Sequence, residues 1–224
     1  MIEVEHISKK YGKKQVLKDI CFSAKQGECI AIAGANGCGK STLLSILAGT
    51  LHPDSGAFYA FDHDMFREPK EREKRIGYVP QENPLIPELT ARDNLRLWYC
   101  DSPYDMNEEL EKGVLAMLGI REFIDVKVSN MSGGMKKRLS IGCSVAQDPA
   151  VLIMDEPSAA LDLLCKASIR DYMAEYKKRN GIILITTHDE QELDLCDRIL
   201  IMRQGILHEE DPSLRGDALL KAIV

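Results

Sequence analysis

Short, uninterrupted apolar runs alternate with helix-like spacings over much of this chain. Residues 28–33, 76–79, 151–154 and 182–187 show no polar face, the pattern of strands buried on both sides. Ser41 to Gly49 reads as a helix after the first run. After the third, Leu161, Cys165, Ile169, Tyr172, Met173 and Tyr176 recur at helical spacing, so the order strand, helix, strand predicts parallel pairing through a right-handed crossover. The start of the chain reads differently. Ile2, Val4 and His6 alternate with their neighbours, Leu17, Ile20 and Phe22 lie in a second extended run, and Tyr11-Gly12 marks a turn between them. A small antiparallel sheet beside the parallel one follows. Pro53 to Gly56 is a turn, Ala57 to Phe61 a strand, and Glu68 to Arg75 a charged, solvated stretch. Arg198 to Met202, a Gln204-Gly205 turn and Ile206 to His208 predict a closing hairpin, with a short helix over 212–224.

From Glu82 to Gln147 the β-branched runs stop and helical segments take over. Thr90 to Tyr99 is one, with Thr90 as N-cap; Asn107 to Leu118 is another, with Leu110, Val114 and Leu118 on one face and Gly119 beyond its end. A third helix follows Ser132-Gly133-Gly134 and carries Leu139, Cys143 and Ala146 along one face. Lys136, Lys137 and Arg138 in its first turns oppose the helix dipole. They mark either a solvated basic turn or a place where an anion arrives.

Length and charge narrow the classes. At 224 residues the chain is long enough for a substantial core, and we expect one domain, with 1–81 and 148–224 as its core and 82–147 as a helical subdomain. A formal charge of -6 argues against broad binding to a nucleic-acid backbone. No run approaches bilayer length, and the first residues lack the apolar centre of a signal peptide. The seven cysteines are scattered, odd in number and form no C-x-x-C pair, so reduced thiols are expected.

The most specific chemistry lies in Gly34 to Thr42, GANGCGKST, which fits G-x-x-x-x-G-K-[ST]. Here Gly34, Ala35, Asn36, Gly37, Cys38 and Gly39 would let backbone N–H groups converge on phosphate oxygens at a helix start. Lys40 supplies a point charge for β- and γ-phosphates, and Ser41 a hydroxyl for Mg²⁺, with Thr42 closing the motif. The preceding apolar strand and following helix are the context the loop requires. Gln81, at the end of the 76–79 strand, is placed to touch metal or attacking water, or is an ordinary loop glutamine. Asp155 and Glu156 end another buried run; Asp155 suits Mg²⁺ through a water, and Glu156 suits orienting or deprotonating the attacking water. His188 ends the last strand at the same sheet edge, where it is either structural or catalytic. Tyr11 offers a ring for stacking on a purine or for covering the sheet edge.

Gly34 to Thr42, Gln81, Ser132 to Gly134, Val151 to Glu156, Leu161-Asp162 and His188 stand in one order across nearly the whole chain. Together they closely resemble the nucleotide-binding subunit of an ABC transporter. The resemblance implies an α/β fold: a P-loop NTPase core with a mainly parallel sheet, an N-terminal antiparallel β subdomain and an inserted helical subdomain. It implies an ATPase using ATP and Mg²⁺, with Glu156, His188, Gln81 and Lys40 catalytic and Ser41, Gln81 and Asp155 at the metal. Tyr11 takes the place of the adenine-stacking aromatic, with Val16 beside it among the ATP-binding residues. Two subunits would pair head to tail, each ATP lying between one phosphate loop and Ser132, Gly133 and Gly134 of the other; Asp162 would communicate across the pair. Met135 stands where the family usually has glutamine, and residues 158–162 read S-A-A-L-D, while the phosphate-contacting Ser-Gly-Gly is intact.

The leading function is an engine driving a separate membrane permease, with export as the expected direction because residues 82–99 resemble the region that docks a cytoplasmic helix of export-type permeases. The expected partners are that permease and a second ATPase subunit, identical or not, with no nucleic acid; the expected place is the cytoplasmic face of the membrane. The alternative is a soluble ATPase of the same type acting in an assembly complex, such as iron-sulfur cluster assembly. The stretch between Gln81 and Ser132 is too short for the coiled coil of chromosome-binding relatives, and no N-K-x-D motif reads guanine.

Overall fold

The computed structural model describes residues 1–223. Strands β1 (Ile2–Tyr11) and β2 (Lys14–Ala24) form a hairpin, so Tyr11 is the last strand residue and the turn is Gly12-Lys13. β3 (Cys29–Ala33) leads through the glycine-rich loop into α1 (Lys40–Leu47). β4 (Ser55–Ala60) and the short β5 (His63–Asp64) return to the hairpin, giving an antiparallel sheet of order β2-β1-β4-β5. The charged stretch near residue 70 folds as α2 (Pro69–Arg75), which buries no residue and ends where β6 (Ile76–Val79) begins.

The insert follows. α3 (Ala91–Tyr99) is capped by Thr90, whose side chain accepts from the Asp93 N–H. The single helix expected over 107–118 is two, α4 (Met106–Lys112) and α5 (Val114–Met117). Gly113 is extended between them, and the Glu109 carboxylate turns back to accept the Val114 N–H at 2.7 Å, an N-terminal cap inside the expected helix. Leu110 and Leu118 are buried as the spacing requires. α6 (Gly133–Ser144) then leads to β7 (Val151–Asp155), α7 (Leu163–Lys178), β8 (Ile182–Thr186) and the one-turn α8 (Glu190–Leu193). β9 (Arg198–Arg203) and β10 (Ile206–Glu210) make the expected hairpin, and α9 (Gly216–Ile223) follows it.

The second sheet runs β10-β9-β3-β8-β7-β6, with every pair parallel except β10 and β9. Its two faces explain the unbroken apolar runs. Ala31 and Ala33 of β3, with Leu152 and Met154 of β7, pack in a core shared with the helical insert and α7. Ile30 and Ile32, with Val151 and Ile153, pack in another shared with α1 and the antiparallel sheet. No polar face is needed because neither face meets water. Among the described residues, no helix is long and apolar enough to cross a membrane.

Candidate functional site

The phosphate loop joins the end of β3 to α1. Gly39 caps α1 at φ 118°, and no acidic side chain occupies the first turn, so the helix N-terminus keeps its positive field. Gly34 has φ +153°, and a Cβ there would stand 2.6 Å from the Met202 carbonyl oxygen and 2.8 Å from Cys38 Sγ, leaving no room for a side chain. Lys40 is buried, and its Nζ donates to the carbonyls of Gly34 at 2.7 Å and Ala35 at 3.2 Å, holding the charge inside the loop. Ala35, Asn36, Gly37 and Ser41 are exposed and Thr42 is half-buried. Val16 and Cys38 share a cleft with Lys14, Gln15 and Gly37. Tyr11, 51% exposed, ends the strand that pairs with the one carrying Val16, and Lys9 Nζ stands 5.8 Å from its ring centroid.

A second group forms where β6, β7 and β8 end. Asp155 lies opposite Thr186 in the parallel register, and the Thr186 hydroxyl donates to Asp155 Oδ1. The same hydroxyl and the Thr186 carbonyl each accept the Glu156 N–H at 3.0 Å. Glu156 is held at φ 47°, a left-handed conformation uncommon for this residue type. Gln81 Nε2 donates to Glu156 Oε2 at 3.3 Å, and His188 Nε2 stands 3.9 Å from Glu156 Oε1. Glu156 is therefore bracketed by an amide and an imidazole, facing a cavity of about 250 Å³. Because β3 pairs with β8 and β8 with β7, this group and the phosphate loop share the carboxyl edge of one parallel sheet, where ligands of such sheets bind.

Ser132, Gly133 and Gly134 form the start of α6, with Ser132 Oγ accepting the Met135 N–H at 3.2 Å. Their neighbours are not phosphate-loop residues. A Cβ on Gly133 would meet Leu161, and one on Gly134 would collide with Cys165 Sγ. Asp162 caps α7 through the Cys165 N–H, which also holds its carboxyl below the usual range.

Of the three cations at this helix start, read as a solvated basic turn or as a place where an anion arrives, two have partners inside the protein. Lys137 is 4% exposed and its Nζ donates to the carbonyls of Pro80 at 2.8 Å and Gln81 at 3.0 Å. Burial pushes its ammonium down to about 8, with Asp155 and Glu156 pulling the other way. Arg138 donates to the Leu118 carbonyl and lies over the Phe123 ring. Thr186 and Lys137 were not readable as site residues, although a threonine closing an otherwise apolar buried strand is a usable signal. Glu192 was missed too: it is buried, it accepts from the Thr187 hydroxyl beside His188, and burial raises its carboxyl above the ordinary value.

The oxygen atoms on offer suit a hard divalent cation. Ser41 presents a hydroxyl, Asp155 keeps one oxygen beyond its bond to Thr186, and Gln81 keeps its amide oxygen because only its nitrogen is used. An all-oxygen donor set fits Mg²⁺.

Residues 17–159 match the ABC transporter family. The chain is 36% identical over 208 residues to the linearmycin resistance ATP-binding protein of Bacillus subtilis, spanning 92% of this chain and 67% of that protein. It is 34% identical over 207 residues to the Nod factor export ATP-binding protein I of Burkholderia orbicola, spanning 91% and 68%. With the spermidine/putrescine import ATP-binding protein of Spiroplasma citri it shares 36% identity over 216 residues, spanning 93% and 61%. Among solved structures, a dimeric ATP-binding cassette in a post-hydrolysis state, bound to ADP and Pi, superposes at TM-score 0.83 with 29% identity, covering 96% of this chain and 100% of that one. An ATP-binding subunit of an ABC transporter superposes at 0.85 with 27% identity, covering 99% and 97%. Loop, sheet edge, helical insert and these likenesses agree, and the chain belongs to the ABC transporter family as an ATP-binding cassette subunit that hydrolyses ATP.

Proposed function

We propose that this chain drives a separate export permease by binding ATP between two copies of itself or between itself and a similar cassette. The phosphate loop, residues 34–42, holds the triphosphate, with Lys40 at its β- and γ-oxygens. Ser41, Asp155 and Gln81 hold Mg²⁺, which when bound neutralises charge on the phosphates. Glu156 accepts a proton from the attacking water, His188 holds the γ-phosphate side of the site, and Gln81 positions the Glu156 carboxylate. Gly133 and Gly134 lie against Leu161 and Cys165 of their own chain and not against its phosphate loop, so the backbone N–H groups of Ser132 to Gly134 serve the nucleotide of another subunit. The dimeric state of the solved relative supports the same arrangement.

Tyr11 and Val16 take the adenine. The exposure of the Tyr11 ring favours stacking over covering the sheet edge, since a covering ring would itself be buried. Tyr11→Ala should weaken ATP binding by about 1 to 2 kcal/mol, roughly five- to thirtyfold, and Tyr11→Trp should largely retain it. Titration of a fluorescent ATP analogue checks this; unchanged affinity in the alanine variant returns the ring to a structural role.

The observation that carries the permease assignment is a groove of about 1020 Å³ between β6 and the insert, lined among others by Arg72, Lys74, Tyr78, Pro80, Pro84 and Trp98. It runs from Trp98, 43% exposed, to Pro80, next to the Gln81 that touches Glu156. A cytoplasmic helix of the permease seated there presses on Pro80, one residue from Gln81. Export is the direction named for the Burkholderia relative, and the assembly-complex alternative has no counterpart among the three relatives above. The neighbouring reading frame should encode a multi-span membrane protein, and co-expression with it should place the chain in the membrane fraction. Trp98→Glu should release it to the soluble fraction with basal ATPase activity intact. A wild-type chain that stays soluble in that co-expression removes the assignment, and transport into rather than out of cells removes the direction.

A further inference from the structure

α6 lies along β6 and is fastened to it at three successive levels. At Gly77 the strand meets the helix closely enough that a Cβ would stand 2.7 Å from the Ser144 carbonyl oxygen. At Tyr78 the carbonyl accepts the Ser144 hydroxyl at 2.7 Å. Beyond the strand end, Lys137 Nζ ties down the Pro80 and Gln81 carbonyls at 2.8 and 3.0 Å. The first two contacts fix the body of the strand. The third reaches the functional residue itself.

A side chain needed only to fill this space could be apolar, and an ammonium is a costly way to fill it. What the ammonium adds is direction: two charge-assisted hydrogen bonds set the backbone of Gln81, whose amide nitrogen stands 3.3 Å from Glu156 Oε2. Lys137 follows Ser132 by five positions on one helix, about 7.5 Å along the axis. A rigid helix therefore has a nucleotide-facing end at Ser132 and a bonded arm on Gln81.

We propose that Lys137 is a positioning residue through which Ser132–Gly134, engaged on the partner's nucleotide, sets Gln81 in its own subunit and so couples the two hydrolytic sites. The coupling rests on the two-subunit arrangement under Proposed function. When α6 settles on the nucleotide held by the other subunit, Lys137 carries its position to the Gln81 carbonyl, and the Gln81 amide aligns Glu156. Each site is then completed only when the other is filled.

Steady-state hydrolysis against MgATP concentration tests this in the wild type, Lys137→Met and Ser144→Ala. Wild type should be cooperative. Lys137→Met should lose that cooperativity, its Hill coefficient falling to 1, and its kcat should fall roughly tenfold, while ATP affinity stays within about twofold. Ser144→Ala loosens the same helix on the same strand away from Gln81, so it should lower Tm and keep the wild-type Hill coefficient. A wild-type Hill coefficient of 1, an unchanged Hill coefficient in Lys137→Met, or the same loss in Ser144→Ala overturns the proposal. Should Lys137→Met not fold, hydrogen exchange decides with Lys137 intact, in a mixed dimer whose isotopically labelled subunit carries Lys40→Met. Its Gln81, Glu82 and Asn83 amides should be protected by nucleotide bound only to the other subunit, and unprotected amides overturn the coupling. The pairing of identical subunits is checked separately: Glu156→Gln protein that stays monomeric in MgATP overturns that pairing, and with it the coupling between two copies of this chain.

Discussion

Glu156→Gln should slow phosphate release by about 10² to 10⁴ while leaving ATP affinity nearly unchanged. The substitution keeps size and backbone and removes the one property a proton acceptor needs. Gln81 and His188 bracket the carboxylate from two sides, so the replaced amide stays in place. With hydrolysis stopped, ATP should persist between the phosphate loop of one subunit and Ser132–Gly134 of the other. The variant should run as a dimer with MgATP and as a monomer without it in size-exclusion chromatography with light scattering. Adding Ser132→Arg should abolish that dimer by filling the γ-phosphate position. A Glu156→Gln protein that still turns over removes Glu156 from the base role. An inactive protein that binds ATP without dimerising points to a non-identical partner cassette.

Lys40→Met should fail at an earlier step. Among the described residues, the lysine's ammonium bonds the loop's own carbonyls, Gly34 and Ala35, so its charge stays inside the loop proposed to hold the triphosphate. Methionine keeps the apolar stem and removes the charge. A hydrogen bond to a charged group is worth about 1.5–3 kcal/mol, so ATP affinity should fall by about 10- to 150-fold and hydrolysis with it. Calorimetric titration with MgATP separates the two variants: Glu156→Gln should bind with nearly wild-type affinity, and Lys40→Met more weakly by that factor. Wild-type affinity in Lys40→Met would place the triphosphate elsewhere.

The parallel sheet was legible because each of its inner strands is apolar on both faces, and the helix between two of those runs gave their parallel pairing; the order of the strands was not legible. The phosphate loop was legible because its glycines, lysine and hydroxyls stand at the fixed spacing that phosphate binding requires. Other elements left no such trace. α2 buries no residue, so it has no apolar stripe to announce it and reads as a solvated stretch. The break at Gly113 depends on Glu109 folding back onto Val114, a contact that spacing alone does not encode. Lys137 looked like one of three surface cations because charge predicts exposure, and only the approach of α6 to β6 gives it two carbonyls to satisfy. The groove beside Trp98 likewise exists only after the insert has packed on the sheet.

The left-handed backbone at Glu156 sets a limit on how this protein can be made more robust. Holding a glutamate there costs of order 1–3 kcal/mol, offset by the Thr186 oxygens that grip its N–H. Glycine or asparagine would sit in that conformation with less penalty, so selection for heat resistance alone favours them at this position. With Glu156 as the proton acceptor proposed above, every such gain would come from a molecule that no longer turns over. Adaptation to higher temperature must therefore proceed through other parts of the chain, with residue 156 carried along as a standing debt against stability.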